Sequence, residues 1–199
     1  MAEALFPLFL RLSARPVLVV GAGTVGLRKI RELIDVEAEV FVVAPRLAPE
    51  VEALVAAGIV QLARRAFADA DADGMWLIVA ATNDPSINAE VAAAGEARRI
   101  FVNAVDDPPN ASAWFGAVLR RAPFLVAISS SGQLPALTRL YREILESALP
   151  LDRHIAAARE LRRRWRAQGT PMSLRFAELL EAFRREPLLV SEQPPKKAD

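Results

Sequence analysis

Three glycines, Gly21, Gly23 and Gly26, stand in G-x-G-x-x-G spacing within VLVVGAGTVGLRKIREL. An apolar run of strand character leads into them and a helical stretch follows. In that setting the first glycine permits a tight turn, the second lets an anionic group reach the main chain, and the third lets the helix pack closely on the sheet. The unpaired N–H groups and the dipole of the helix N-terminus favour a pyrophosphate there, so the stretch reads as a dinucleotide fingerprint. The same rule expects an acid about 20 residues on, at the end of the second strand, to hold the ribose 2′-hydroxyl. That strand ends VVAPRLAPE, with Ala44, Pro45 and Arg46 and no acid. Taken alone, Arg46 fits a partner for a 2′-phosphate, which favours NADP, and equally a solvated arginine.

A second chemical signal lies in RRIFVNAVDDPPNAS, residues 98–112, where an apolar run ends in Asp106 and Asp107 ahead of two prolines. Ligands of open α/β sheets bind outside the carboxyl ends of the strands. AATNDPS (80–86) and NAVDDPP (103–109) are two such ends, which places Thr82, Asn83, Asn103 and Asp106 around one crevice with a nicotinamide. A carboxylate beside a hydride acceptor can serve as base in a dehydrogenation, the proton leaving to the acid as the hydride leaves to the ring. Asp before Pro is also a common turn and cap choice, and Asp107, next to Pro108, suits that role.

These residues need a sheet to hold them. Short β-branched runs at 16–21, 39–45, 60–67, 75–82, 99–105 and 123–130 alternate with helical stretches after the first, second and fourth. Continuous apolar runs indicate strands covered on both faces, and βαβ alternation calls for an open parallel sheet of Rossmann type. After Ser130 the character turns helical: 134–150, about 151–168 and 171–186, the last two separated by Gly169 and Pro171 as stop and start signals. The closing VSEQPPKKAD reads as a disordered tail.

Composition narrows the chemistry. With no cysteine and one histidine, His154, in 199 residues, disulfides, thiolate nucleophiles and multi-histidine metal cages are excluded, so redox work needs a borrowed cofactor. His154, on an Ala/Arg helix, reads as a surface residue, and no metal ligand set is assigned. The net charge is +1 and no aromatic-rich basic groove appears, which argues against nucleic acid. No window suits a membrane span and the start lacks a basic leader, which points to a cytoplasmic protein. The arginines of RHIAAARELRRRWRAQ suit a solvated face or a site for a ligand rich in carboxylates.

The fingerprint, AATND, RRIFVNAVDDP and PFLVAISSSGQLPALTRLYREILE, in this order, resemble the siroheme synthase N-terminal family, whose members include bifunctional precorrin-2 dehydrogenase and sirohydrochlorin ferrochelatase. The resemblance covers roughly residues 4–185 and includes no counterpart of the methyltransferase domain fused to this module in some members. It implies NAD-dependent oxidation of precorrin-2 to sirohydrochlorin, followed in some members by insertion of ferrous iron as a substrate to give siroheme. It places the family's shared aspartate on Asp106. Cofactor contacts fall on Gly21, Ala22, Gly23, Thr24, Val25, Pro45, Arg46, Thr82, Asn103 and Val105. Relatives resembling this chain use NAD without an acid at the second strand end, which turns the Arg46 ambiguity toward NAD.

The resemblance further implies a homodimer, with a Rossmann domain over 1–112, a strand-helix dimerisation segment over 113–149, a helical domain over 150–186 and a tail over 187–199. Ser129, Ser130 and Ser131, in SSSGQLP, fit a loop and helix cap and also a site for a substrate carboxylate. Ser131 replaces a common glycine, and Trp114 and Gly116 stand where the porphyrinoid rim would lie. A dehydrogenase without chelatase activity is one alternative, and a non-catalytic NAD(H)-sensing module is another.

Overall fold

The computed structural model describes residues 4–184, and its elements follow from where the apolar residues fall. Strands β1 (Pro16–Ala22), β2 (Glu39–Leu47), β3 (Gln61–Ala63), β4 (Leu77–Ala80) and β5 (Phe101–Ala104) form one sheet in the order β3-β2-β1-β4-β5. All four pairings are parallel. Side chains alternate across the sheet. Val17, Val19, Val42, Leu77 and Val79 go to one core with Leu27, Ile30 and Val51, while Leu18, Val20, Ile78, Val102 and Ala104 go to the other with Val91 and Ala94. Helices α1 (Thr24–Ile34) and α2 (Pro49–Ala56) cover the first face and α3 (Pro85–Ala97) the second. Both faces are thus dry, which is why the strands read as unbroken apolar runs.

The chain runs outward from β1 through β2 to β3, then returns past β1 to β4. The strand order therefore reverses between β1 and β4, and the crevice outside their carboxyl ends is where such sheets take ligands. The return from β3 carries a 3₁₀ turn, Asp69–Ala72. It is tied down by Arg65 on Asp71 at 2.5 Å and by Arg98, from the end of α3, on Asp69 and Asp73 at 2.6 Å each. The expected strand over 60–67 is ordered as a strand for three residues only.

The chain divides into two units, one ending at Phe115 and the other beginning at Gly116. In the second, β6 (Ala117–Arg121) and β7 (Phe124–Ile128) form an antiparallel hairpin joined by the cis bond Ala122–Pro123. The run 123–130, expected as a further strand of the parallel sheet, is instead β7 of this two-stranded sheet. Three helices follow, α4 (Pro135–Ala148), α5 (Leu151–Gln168) and α6 (Met172–Arg184). Gly169 ends α5 in the left-handed conformation, with its N–H donated to the Trp165 carbonyl. Trp165 Nε1 donates to Glu178 at 2.7 Å, joining α5 to α6. Residues 185 and 186 of the last expected helix, and the tail expected over 187–199, lie outside the described residues. Among the described residues no helix is long and apolar enough to cross a membrane.

Candidate functional site

The β1–α1 turn meets the demands of its three glycines. Gly21 has φ 99°, and a Cβ on it would collide with the Ala81 carbonyl at the end of β4. A Cβ on Gly26 would collide with the carbonyl of Gly21, while one on Gly23 would meet nothing within 4 Å. Two glycines are therefore spent on close packing, and the third faces open space. Gly23 caps α1 without a side-chain bond, and the first turn carries no acid. The helix thus presents uncapped N–H groups to that space, an arrangement suited to a pyrophosphate. The residues present fit a dinucleotide. Ala22 is buried and reaches this space only by its main chain, whereas Thr24 is exposed and Val25 half-buried.

Neighbouring strand ends line the same end of the sheet. The Ala81 N–H donates to the Val20 carbonyl at 2.8 Å and the Val105 N–H to the Ala80 carbonyl at 2.9 Å. Thr82 and Val105 therefore follow directly from strands beside the glycine turn, and Asp106 lies two strand spacings from it, about 10 Å. On the other side, Pro45 and Arg46 sit in an irregular part of β2. Val20 pairs with Val43 and Ala22 with Leu47, so β2 uses two more residues than β1 over this step.

Asp106 is exposed and has φ 57°, a left-handed conformation in a residue that is not glycine. Among the described residues its carboxylate has no hydrogen bond or ion pair. Asp107 differs: half-buried, its Oδ2 accepts from Asn110 Nδ2 at 2.9 Å, closing the 3₁₀ turn Pro108–Asn110. Of the two adjacent acids, one builds a turn and the other is free.

Asn103 is buried in β5, and its Nδ2 donates to the Ala113 carbonyl at 2.9 Å while Oδ1 is unpaired. Its amide thereby holds the segment after β5. The Thr82 hydroxyl is likewise engaged inward, 2.7 Å from Asn88 Oδ1 and 3.0 Å from the Asp84 carbonyl, and it accepts the Asp84 N–H at 3.2 Å. Asn88 Nδ2 donates back to the Thr82 carbonyl at 3.3 Å. Asn88 is 4% exposed, a buried polar residue whose amide shapes the loop that meets the glycine turn. Sequence reasoning passed over it. The available signal was an amide on the inward face of α3, at three- and four-residue steps from Val91 and Gly95. Asp84 caps the same helix by accepting from the N–H and hydroxyl of Ser86, which hold its carboxyl below the usual aspartate range.

In the second unit, Ser129 Oγ accepts the Ser131 N–H at 3.1 Å and Ser130 Oγ accepts the Leu134 N–H at 2.9 Å. Ser131 and Gly132 both have left-handed φ, 53° and 74°. The serines therefore shape the loop, with their O–H groups left to donate. Gly116 has a local reason to be glycine, since a Cβ there would collide with the Ile128 carbonyl across the hairpin. His154 departs from the surface position expected: half-buried, its ring meets Phe183 edge-on at 4.7 Å, and Nε2 is buried without a partner. Among the described residues no three His, Asp or Glu side chains gather as a metal site. On α5, Arg163 pairs with Glu160 and Arg164 with Glu178, while Arg162 and Arg166 stand exposed.

Comparison with known proteins bears on this arrangement. The family model described as "Putative NAD(P)-binding" matches residues 8–117. Siroheme synthase 1 of Serratia proteamaculans (strain 568) is 43% identical over 162 residues, 81% of this chain and 34% of that protein. Siroheme synthase 3 of Aeromonas hydrophila is 44% identical over 171 residues, 85% of this chain and 36% of that protein. The chain thus spans about a third of the length of these curated relatives. A solved structure titled "SirC, precorrin-2 dehydrogenase" superposes with a TM-score of 0.71 at 26% identity, covering 89% of this chain and 88% of that one. Matched over more than half its length by the family model, and homologous to part of the siroheme synthases over four fifths of its residues, the chain belongs to the NAD(P)-binding family.

Proposed function

We propose that the chain oxidises precorrin-2 to sirohydrochlorin with NAD, working as a homodimer, and then assists insertion of ferrous iron to give siroheme. The observation that carries this reading is Asp106, an exposed and unpaired carboxylate at the carboxyl end of β5, on the same rim of the sheet as the glycine turn. A nicotinamide, when bound, supplies the hydride acceptor. In this reading the main chain from Gly21 to Val25 takes the pyrophosphate. Pro45 and Arg46 flank the adenosine side, and the ends of β4 and β5, with Thr82, Asn103 and Val105, flank the nicotinamide side. Asp106 accepts the proton that leaves the tetrapyrrole as its hydride departs, and returns it to water.

The names carried by the relatives support precorrin-2 as substrate. A tetrapyrrole of this class bears several carboxylates. The O–H groups of Ser129, Ser130 and Ser131, with the N-terminus of α4, which has no acid in its first turn, suit one of them. Iron insertion requires removal of pyrrole protons, and we assign that to Asp106 as well. The test combines purified chain, precorrin-2 and NAD, with and without ferrous iron, and follows sirohydrochlorin and then siroheme absorbance. We expect both products from the parent chain and neither from Asp106→Asn. Oxidation by Asp106→Asn at the parent rate removes the base assignment, and sirohydrochlorin without siroheme leaves a dehydrogenase alone.

A further inference from the structure

Positive charge is concentrated in the second unit. Residues 116–184 hold twelve arginines, no lysine and six acids, whereas residues 1–115 hold ten basic side chains against fifteen acidic ones. Outside α5, several of these arginines are spent on neighbours. Arg121, Arg139 and Arg142 are held on Glu143 and Glu146, and Arg184 on Glu181.

On α5 the arrangement differs. Arg159, Arg162, Arg163 and Arg166 recur at three- and four-residue steps, which puts them on one face of the helix. His154 and Trp165 occupy another face, where they meet Phe183 edge-on and Glu178 at 2.7 Å on α6. The arginine face is thus turned away from α6, and all four side chains are exposed. Arg163 pairs with Glu160, and Arg159 gives one long bond, 3.4 Å, to the Ala122 carbonyl, which sets the row beside the β6–β7 turn. Among the described residues Arg162 and Arg166 form no hydrogen bond or ion pair. Like charges at these spacings repel and weaken a helix, and Glu160 relieves only part of that.

We propose that this face of α5 binds carboxylates on the rim of the tetrapyrrole, with Arg162 and Arg166 as its free donors. The inference rests on the tetrapyrrole reading given under the proposed function, and it adds the side chains that recognise the ligand. A guanidinium is planar and presents its donors in pairs, a fit to carboxylates that an ammonium lacks, and the row is built of arginine alone. From Arg159 to Arg166 it runs about 10 Å along the helix axis, the scale of one small polyanion and short of a macromolecular interface. No aromatic side chain stands among these arginines on that face, so it lacks the stacking platform used for single-stranded nucleic acid.

The experiment titrates the purified full chain with sirohydrochlorin, followed by quenching of tryptophan fluorescence, and in parallel with random-sequence duplex DNA and with polyglutamate. The parent is expected to bind sirohydrochlorin, and more weakly as salt rises. In Arg162→Ala with Arg166→Ala the Kd should rise about tenfold or more, as for lost charge-assisted bonds. Glu at both positions should weaken binding further, and Lys at both should retain part of the affinity. The double Ala variant should melt no lower than the parent, because it removes like-charge repulsion and places good helix formers. If it melts well below the parent, the arginines serve the fold and the proposal is overturned. Equal sirohydrochlorin affinity in the parent and all three variants also overturns it, and leaves the substrate reading standing. Loss of DNA or polyglutamate binding with sirohydrochlorin affinity unchanged overturns it in favour of a macromolecular partner. A parent chain that does not bind sirohydrochlorin takes the tetrapyrrole reading down as well, which separates the two failures.

Discussion

At Asp106 the main chain and the carboxylate make separable demands. The φ of 57° is one that Asn and Asp accept more readily than other residues bearing a side chain. Asp106→Asn keeps that tolerance and removes only the carboxylate, the base we propose, so it should melt with the parent, bind dinucleotide and fail to turn over. Asp106→Ala should lose turnover and in addition about 1 kcal/mol of stability, seen as a lower melting temperature. An Asn variant that melts well below the parent would mean that the carboxylate holds the fold and does not serve the chemistry. Gly23 allows the complementary test, because its φ of −78° suits any residue and its Cβ direction is open. Gly23→Asp should fold normally yet lose dinucleotide binding by about a hundredfold or more, through bulk and like charge at the pyrophosphate position. Calorimetric titration against NADH reads this directly, and retained affinity would put the phosphates elsewhere.

The loop between β4 and α3 shows how hydrogen bonds inside one element keep a candidate site in shape. Asp84 caps α3, and the same turn is locked on Thr82 by buried Asn88. The folded-state pKa of Asp84 is depressed by the Ser86 hydroxyl and N–H. Its stabilising effect is therefore full above the unfolded-state pKa and is lost as pH falls through the folded one. Asp84→Ala should thus melt below the parent at neutral pH, and the gap should close in acid, as pH falls through the folded-state pKa of Asp84. Paired thermal melts at the two pH values check this, and a gap that persists in acid would assign the effect to packing. Much of this element level was legible in the sequence: unbroken apolar runs at 16–21 and 75–82 became β1 and β4 because both faces are covered. The run 123–130 misled because such a run states that a strand is apolar, not which strand it pairs with, and its partner β6 lies in charged AVLRR. Asn88 was not legible because its importance lies in two bonds to Thr82, which only the closed loop brings within reach.

At the scale of the molecule, the apolar stripe of α4 calls for a partner. Leu137, Leu140, Tyr141 and Ile144 recur at three- and four-residue steps on one face, yet each stays between 41 and 52% exposed. Arg139, Arg142, Glu143 and Glu146 pair among themselves, so the helix is well made for water on one side and not on the other. Contiguous exposed apolar residues of this kind mark interaction surfaces. Each half-exposed side chain has about 1 kcal/mol still to gain on burial. Four from each of two chains then give on the order of 8 kcal/mol toward the cost of association. A second copy of the chain is the occupant we propose. Leu140→Glu combined with Ile144→Glu should convert a dimer to a monomer in sedimentation velocity while leaving the helical circular dichroism unchanged. Neither position belongs to the buried core, and both lie on the exposed stripe, so the added charge falls on the proposed interface. A double variant that still sediments as a dimer would place the contact between copies on another surface and leave the α4 stripe for a different partner.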